Sequence, residues 1–365
     1  MKVLEIVADL KIGGAQRVAA NIAKYAPEGM RFTYLVFGSE IGDYEAELRA
    51  EGHEIVHVSS PKKSRLAFSK ALMHQLKSGR YDVVHCHTMY SCGLVMFIAK
   101  LMGVPGRISH SHTAKDQAGN RSSFRSAYKR LMQGLIWFCG TDYLACGTDA
   151  GAELYGTVRF QKKGVVIKNG IDTAAYRYSA RNRTAARNAL GLQNEFIIGH
   201  VGHYEAVKNQ KFLIQLMPKL LNTRKDAMLL MYGGGSQRQE LENEITALGL
   251  NEHARVMGNA NNIPEVLSAF DVFAFPSLFE GTPLALLEAQ ANGVPCVISD
   301  CIPEDACVTD LIKKLPLDNH DAWIQTILNS KRDEKKDYTG VLHSQYEDIH
   351  DSMKQLYGVF SKYEK

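Results

Sequence analysis

Glu280 and Glu288 stand in the stretch FEGTPLALLEA (Phe279–Ala289), the second of them inside an otherwise apolar run. Thr282 is a good helix N-cap, Pro283 suits the first helical position, and Asn292-Gly293-Val294-Pro295 supplies a stop. The spacing therefore predicts a helix that contains Glu288 and a preceding turn that holds Glu280. A carboxylate among Leu284, Ala285, Leu286, Leu287 and Ala289 needs a partner, since glutamate is almost never buried unpaired. That partner is an internal arginine, backbone amides, or the vicinal hydroxyls of a ribose. The free amides at the helix start, with those of Gly281 and Thr282, can receive a phosphate, and Glu288 then lies about 7–8 Å farther along the axis.

Other loops offer the same kind of chemistry. GGAQR (Gly13 to Arg17) leaves the first strand and opens a helix, where amides hold phosphate or two glycines simply make a tight turn. MYGGGSQ (Met231 to Gln237) repeats that grammar in the second half. Neither carries the GxGxxG register, which disfavours a nicotinamide dehydrogenase. In VGHYEAVKNQ (Val201 to Gln210), Lys208 sits at a helix entrance, where it is either solvated or joined to the positive helix end by an anion. Phosphate at a helix tip, ribose along its side and a sugar near Glu280 together describe a nucleotide sugar.

These residues need elements to hold them. Strand-like runs alternate with helical patterns: KVLEIV, RFTYLVF, EIVHV, DVVHCH, RISHSH, DYLAC and GVVIK, then, after Tyr178, FIIGHVG, AMLLMYGGG, ARVMG, DVFAFPS and PCVIS. Strand, crossover helix, strand is the signature of parallel sheets covered on both faces. The expected fold is α/β, with two doubly wound Rossmann-like domains facing a central cleft at their strand carboxyl ends. The first is expected over residues 1–172 and the second over 173–345, with a helix over 346–365 that packs back on the first. The polar, basic stretch AAYRYSARNRTAARNALGLQNE, without strand signals, reads as the linker.

Composition bounds the partners. With 45% apolar and 22% charged residues over 365 positions, the chain suits two ordinary soluble domains. A net charge of +4 beside 43 basic and 39 acidic residues leaves any anion to a local patch, and no basic run with interleaved aromatics points to nucleic acid. Seven cysteines without CxxC pairs fit a reduced compartment, and MKVLEIVADL is not a signal peptide. Cys296, Cys301 and Cys307 read as packing residues.

Glu280, seven intervening residues and Glu288 resemble the EX7E motif of retaining glycosyltransferases of the GT-B fold, family 4 type. GGAQR, DVVHCH, RISHSH, NGID, VGHYEAVKNQ and FPSLFEGTPLALLEAQANGVPCVIS stand in that family's order across nearly the whole chain. The resemblance is strongest to bacterial enzymes that build capsular, exopolysaccharide or O-antigen repeat units. It implies transfer with retention from a nucleotide-diphosphate sugar, UDP-linked by expectation, to a lipid-linked sugar or glycan, without a metal or other cofactor. By the same resemblance Glu288 binds the ribose hydroxyls and Glu280 the sugar hydroxyls. Lys208 neutralises the diphosphate with amides at Gly14 and at Gly281-Thr282, on the segment that continues through Pro283 and Leu284. His112 faces the sugar and leaving phosphate, Gln16 and His87 lie toward the acceptor, and Gly258 and Asn259 begin the loop beside the base.

Three positions depart from that family's pattern. His203 stands where arginine is usual, and a reference pKa of about 6.5 allows it to be protonated when donor is bound. Gln16 replaces a commoner glutamate, and the region after Cys301 is short, so that the C-terminal return helix is expected to be abbreviated. Two rivals remain at this stage: a GT-B nucleotide-sugar epimerase, and an idle nucleotide-sugar-binding scaffold of a polysaccharide assembly complex.

A lipid-linked acceptor directs attention to RSSFRSAYKRLMQGLIWFCG (Arg121 to Gly140). There Phe124, Tyr128, Leu131 and Leu135 form a stripe flanked by Arg121, Arg125 and Lys129, and PKKSR (Pro61 to Arg65) adds a second basic patch. A basic amphipathic helix lies on an anionic membrane surface or packs on its own domain. The expectation is a cytoplasmic protein held peripherally on the inner membrane face. The pairs His85/His87 and His110/His112 each present two rings to one strand face, but no acidic ligand accompanies them in the sequence and no metal site is expected.

Overall fold

A computed structural model describes all residues except Ile12, 113–122, Asn261, Thr282, Glu347 and Lys365; of Ser123 and Gln345 it describes only the backbone. The chain forms two compact units, residues 1–169 with 350–365, and residues 170–349.

In the first unit, β1 (Lys2–Val7), β2 (Arg31–Phe37), β3 (Glu54–Val58), β4 (Val83–Cys86), β5 (Gly106–Ser111), β6 (Asp142–Ala145) and β7 (Gly164–Val166) make one parallel sheet in the order β3-β2-β1-β4-β5-β6-β7. The central strands are buried along almost their whole length, as expected where helices cover both faces. The order reverses between β1 and β4, so the loops after these strands open a crevice at the switch point. Behind them the helices Cys92–Leu101 and Ser123–Cys139 pack closely: a side chain at Gly93 would come within 2.7 Å of the Met132 carbonyl. The helix Ile349–Phe360 delivers the chain's end to this unit, where Phe360 is fully buried and the Tyr357 hydroxyl donates to the Ile22 carbonyl.

In the second unit, β8 (Phe196–Val201), β9 (Ala227–Tyr232), β10 (Ala254–Gly258), β11 (Val272–Phe275), β12 (Cys296–Ser299) and β13 (Ile312–Leu315) form a parallel sheet ordered β10-β9-β8-β11-β12-β13. Its switch point lies between β8 and β11. Apolar clusters fill both faces. Ile171 and Asp348, close to the points where the chain passes between units, form an isolated parallel bridge.

Two sequence expectations need correction. The stretch read as a linker contains a helix, Ala180–Leu190, capped by Ser179. Arg183 and Arg187 on this helix bind Asp271 at 2.5 and 2.7 Å and the carbonyls at the end of the helix Ile263–Ala269, so its basic residues dock it to the second unit. Strand β13 was not expected, because Lys313 and Lys314 interrupt its apolar run. An edge strand paired only with β12 tolerates them. All seven cysteines are free, and Cys301 is exposed rather than packed.

Candidate active site

The expected site residues follow the carboxyl ends of strands within their own units. Gly14 and Gln16 come after β1, His87 after β4 and His112 after β5. His203 and Lys208 come after β8, Asn259 after β10 and Glu280 after β11. Gly258 is the last residue of β10, at φ 84°, where glycine is favoured.

Around the second switch point the structure unites two of these residues. Lys208 ends a short 3-10 turn, Ala206–Lys208, and Asn209 adopts a left-handed conformation to start the helix Gln210–Thr223. This geometry brings the Lys208 ammonium 2.6 Å from Glu280 and 5.3 Å over the Phe275 ring. Both side chains are largely covered, at 21% and 8% exposure, so their contact is stronger than that of a surface ion pair. The loop beneath is tied by hydrogen bonds. His200 bonds the Ala274 carbonyl through Nδ1 at 3.0 Å and meets the Gln210 amide through Nε2 at 3.2 Å, and Gln210 also donates to the His203 carbonyl at 2.7 Å. Burial lowers the His200 pKa to about 4, which keeps that ring neutral. His203 itself is half-buried.

Glu288 lies in the helix Leu284–Ala291, which starts one residue later than expected, with Pro283 at the cap position. Gly293, at φ 74°, ends it as predicted. Glu288 is 3% exposed and accepts a hydrogen bond of 2.9 Å from the Tyr176 hydroxyl. This phenol is the buried partner that sequence reasoning missed, since 112 residues separate it from Glu288. Tyr176 is held in turn through its carbonyl by Asn292, and Arg332 binds Asn292. At the helix entrance Gly281 is exposed, Pro283 buried and Leu284 half-buried, while Thr282 lies outside the described residues.

Gly233 and Gly235, in the loop after β9, pack against neighbouring backbone. The Gly233 amide donates to the Gly258 carbonyl, and side chains at Gly233 and Gly235 would come within 2.1 Å of the Gly202 oxygen and 2.6 Å of the Tyr204 oxygen. Close backbone approach explains these glycines. Gly234 faces Asn259, whose amide would lie 3.1 Å from an added Cβ.

In the first unit Gly14 begins the helix Gly14–Lys24, exposed, with open space around it and no acid in the first turn. Gln16 donates to Asp9 at 3.0 Å. His87 and His112 meet at 2.8 Å between Nδ1 and Nε2. They belong to a larger cluster: Glu5 in β1 bonds His85 Nδ1 at 3.1 Å and His87 Nε2 at 2.8 Å, and His85 Nε2 meets His110 Nδ1 at 3.2 Å. The acidic companion thought missing is therefore present, contributed by a strand 80 residues away. His85, His87 and His110 offer ring nitrogens within 4.8 Å of one another, close enough for a metal, but these rings already bond each other and Glu5. Against the opposing effect of burial, the neighbouring His85 and His87, which both donate to the carboxylate, lower the Glu5 pKa to about 2. Burial lowers His87 to about 4 and sends His110 and His112 well below the usual histidine value.

The amphipathic helix differs in its faces from the expected stripe. Phe124, Leu131 and Phe138 are exposed at 90, 60 and 75%, whereas Tyr128 and Leu135 are half-buried and Met132, Ile136 and Cys139 face the core. Arg65 lies 5.1 Å from the Tyr128 ring and Lys100 3.9 Å from the Phe138 ring. No helix among the described residues is long and apolar enough to cross a membrane.

Two parallel sheets, each with its loops gathered at a switch point, define the class, and comparison with known proteins gives the family. The family described as Glycosyltransferase Family 4 matches residues 12–175, and that described as Glycosyl transferases group 1 matches residues 182–337. A Bacillus subtilis protein named as glycosyltransferase EpsF is 32% identical over 89% of this chain and 86% of its own length. The Staphylococcus aureus capsular polysaccharide biosynthesis glycosyltransferase CapH is 28% identical over 86% of the chain and 85% of its own. An Escherichia coli UDP-Gal:α-D-GlcNAc-diphosphoundecaprenol α-1,3-galactosyltransferase is 31% identical over 63% and 60%. The GT-B fold is shared with Anabaena HepE, solved with UDP and glucose, at a TM-score of 0.78 over 99% of both chains and 19% identity. This chain belongs to the family of glycosyltransferases that these two descriptions cover, and it is a transferase of the kind found in polysaccharide synthesis.

Proposed function

We propose that the protein transfers a sugar, with retention, from a UDP-sugar to a lipid-linked sugar or glycan in the synthesis of a surface polysaccharide. The observation that carries this reading is the covered Lys208–Glu280 pair at the second switch point, with Glu288 buried in the helix that follows. Binding of a diphosphate turns Lys208 from the carboxylate to the phosphates and frees Glu280 for the sugar hydroxyls. Glu288, oriented by Tyr176, takes the ribose. As the anomeric carbon–oxygen bond breaks, Lys208 and the amide at Gly281 hold the charge that grows on the diphosphate. The acceptor oxygen bonds the anomeric carbon, and its proton passes to the departing phosphate. No metal is required in this scheme, because fixed positive groups carry the charge. The names of the relatives support a UDP-sugar donor and a lipid-diphosphate acceptor.

The exposed line Phe124, Leu131, Phe138, flanked by basic residues, supports peripheral contact with an anionic membrane. The transfer reading is tested by incubating the protein with UDP-glucose, UDP-galactose or UDP-N-acetylglucosamine and a lipid-diphosphate sugar, then determining the anomeric configuration of the product by NMR. Retention in a glycosylated lipid supports the reading, and an inverted product or none from any pairing refutes it.

A further inference from the structure

The buried cluster of the first unit links five side chains in one line: His110, His85, Glu5, His87 and His112. Glu5 and His85 are fully buried and His110 is 2% exposed. Tyr34 and Tyr357 also lie close, but their hydroxyls donate to the Ala19 and Ile22 carbonyls, and the groups that lower the Glu5 pKa are His85 and His87.

Proton counting fixes this line. Glu5 is ionised and can only accept, so His85 Nδ1 and His87 Nε2 each carry a proton. His87, His110 and His112 are neutral and hold one proton each. His87 Nδ1 is therefore an acceptor, and its partner, His112 Nε2, must donate. The assignment leaves His112 Nδ1 bare at that end of the line. His112 Nδ1 is buried without a partner among the described residues, as is His110 Nε2 at the other end. A metal at the inner nitrogens would break a network that is already complete. Of the two ends, His110 is enclosed in the sheet, while His112 lies just beyond β5 and is half-buried.

We propose that Glu5 is a positioning residue: acting through His87, it holds the His112 proton on Nε2 and keeps His112 Nδ1 as a neutral acceptor for a hydroxyl group of the sugar substrate. An unmet buried acceptor is costly and calls for a donor, and a sugar hydroxyl is a donor of the right class. His112 then acts as an oriented hydrogen-bond acceptor and not as a cation beside the diphosphate. This inference rests on the proposed sugar transfer and on the expectation, from the family resemblance, that His112 faces the sugar.

The test is long-range proton–nitrogen NMR of the histidine rings, on the full chain, in the wild type and in Glu5→Gln and Glu5→Asp. In the wild type His87 and His112 should carry the proton on Nε2; any other pattern in these two rings overturns the proposal. A glutamine can accept from one ring but must donate to the other, so one branch has to reverse. If the His87–His112 branch reverses, kcat/KM should fall about tenfold, the worth of one hydrogen bond, and if it does not, kcat/KM should hold. Reversal without loss, or loss without reversal, contradicts the proposal. Glu5→Asp, which keeps two acceptor oxygens, should restore both tautomer and activity. The His112 Nδ1 signal should also move on saturation with whichever of UDP-glucose, UDP-galactose or UDP-N-acetylglucosamine is turned over, and not with UDP alone. A wild type that turns over none of the three has failed the functional reading, while its ring tautomers still decide the role of Glu5.

Discussion

Acidification should weaken the first unit through its histidines. His87 has an ordinary pKa of 6.5 in the unfolded chain and about 4 in the fold, because burial and the neighbouring His85 disfavour the imidazolium. Between those values the unfolded chain binds a proton that the folded chain refuses, so stability falls as pH falls through this window and is full above it. From about pH 7 to about pH 5 the proton-binding advantage of the unfolded ring grows about 22-fold, a loss of about 1.8 kcal/mol from His87 alone. His110 and His112 are lowered by the same causes and add in the same direction. Glu5 gives no compensation in this range: held at about 2 from an ordinary 4.5, it adds its own loss only at lower pH. For a unit of this size the His87 contribution corresponds to a drop in Tm of about 4–7 °C.

The assay uses the chain's two tryptophans. Trp137 sits in the first unit, its ring N–H donating to the Tyr155 carbonyl, and Trp323 is buried in the second. Trp323→Phe and Trp137→Phe then report the two units separately by fluorescence melting. The second unit, with His200 lowered to about 4, should also lose stability, but less than the first. Since the cluster is buried, added salt should not remove the effect. A first-unit Tm that is unchanged between the two pH values would refute the reasoning.

Other perturbations test the second unit and the surface. Tyr176→Phe should weaken UDP binding about tenfold or more, the worth of a hydrogen bond to a charged group, as measured by calorimetry; unchanged affinity would show that Glu288 needs no orienting phenol. Replacing Phe124, Leu131 and Phe138 by serine should abolish co-sedimentation with anionic vesicles at low salt, whereas undiminished binding, or none by the wild type, would remove the membrane role.

The parallel architecture was legible because fully buried strands read as continuous apolar runs, and β9 and β11 are such runs. Strand β13 was lost because an edge strand can carry lysines. The grouping of Lys208 with Glu280 came from the family resemblance, and the direct ion pair could not be read from either segment. Tyr176 and Glu5 were missed for a common reason: each meets its partner across 112 or 80 residues. Strand periodicity says which face a side chain occupies, not which strand lies beside it, and only the pairing of Glu5 with His85 in the β1–β4 register brings carboxylate and imidazoles together. The basic stretch before β8 was misread because its arginines looked solvated, whereas the carbonyls and Asp271 that receive them lie more than 80 residues on.

The central claim is that Lys208, Glu280 and Glu288 hold a nucleotide diphosphate sugar. Calorimetric titration of UDP into wild type, Lys208→Ala and Glu288→Ala tests it most directly. UDP should bind the wild type, with affinity reduced at least about tenfold in each variant, as expected for the loss of a charged hydrogen-bonding group. Equal affinity for UDP in all three proteins would contradict the assignment of the donor site.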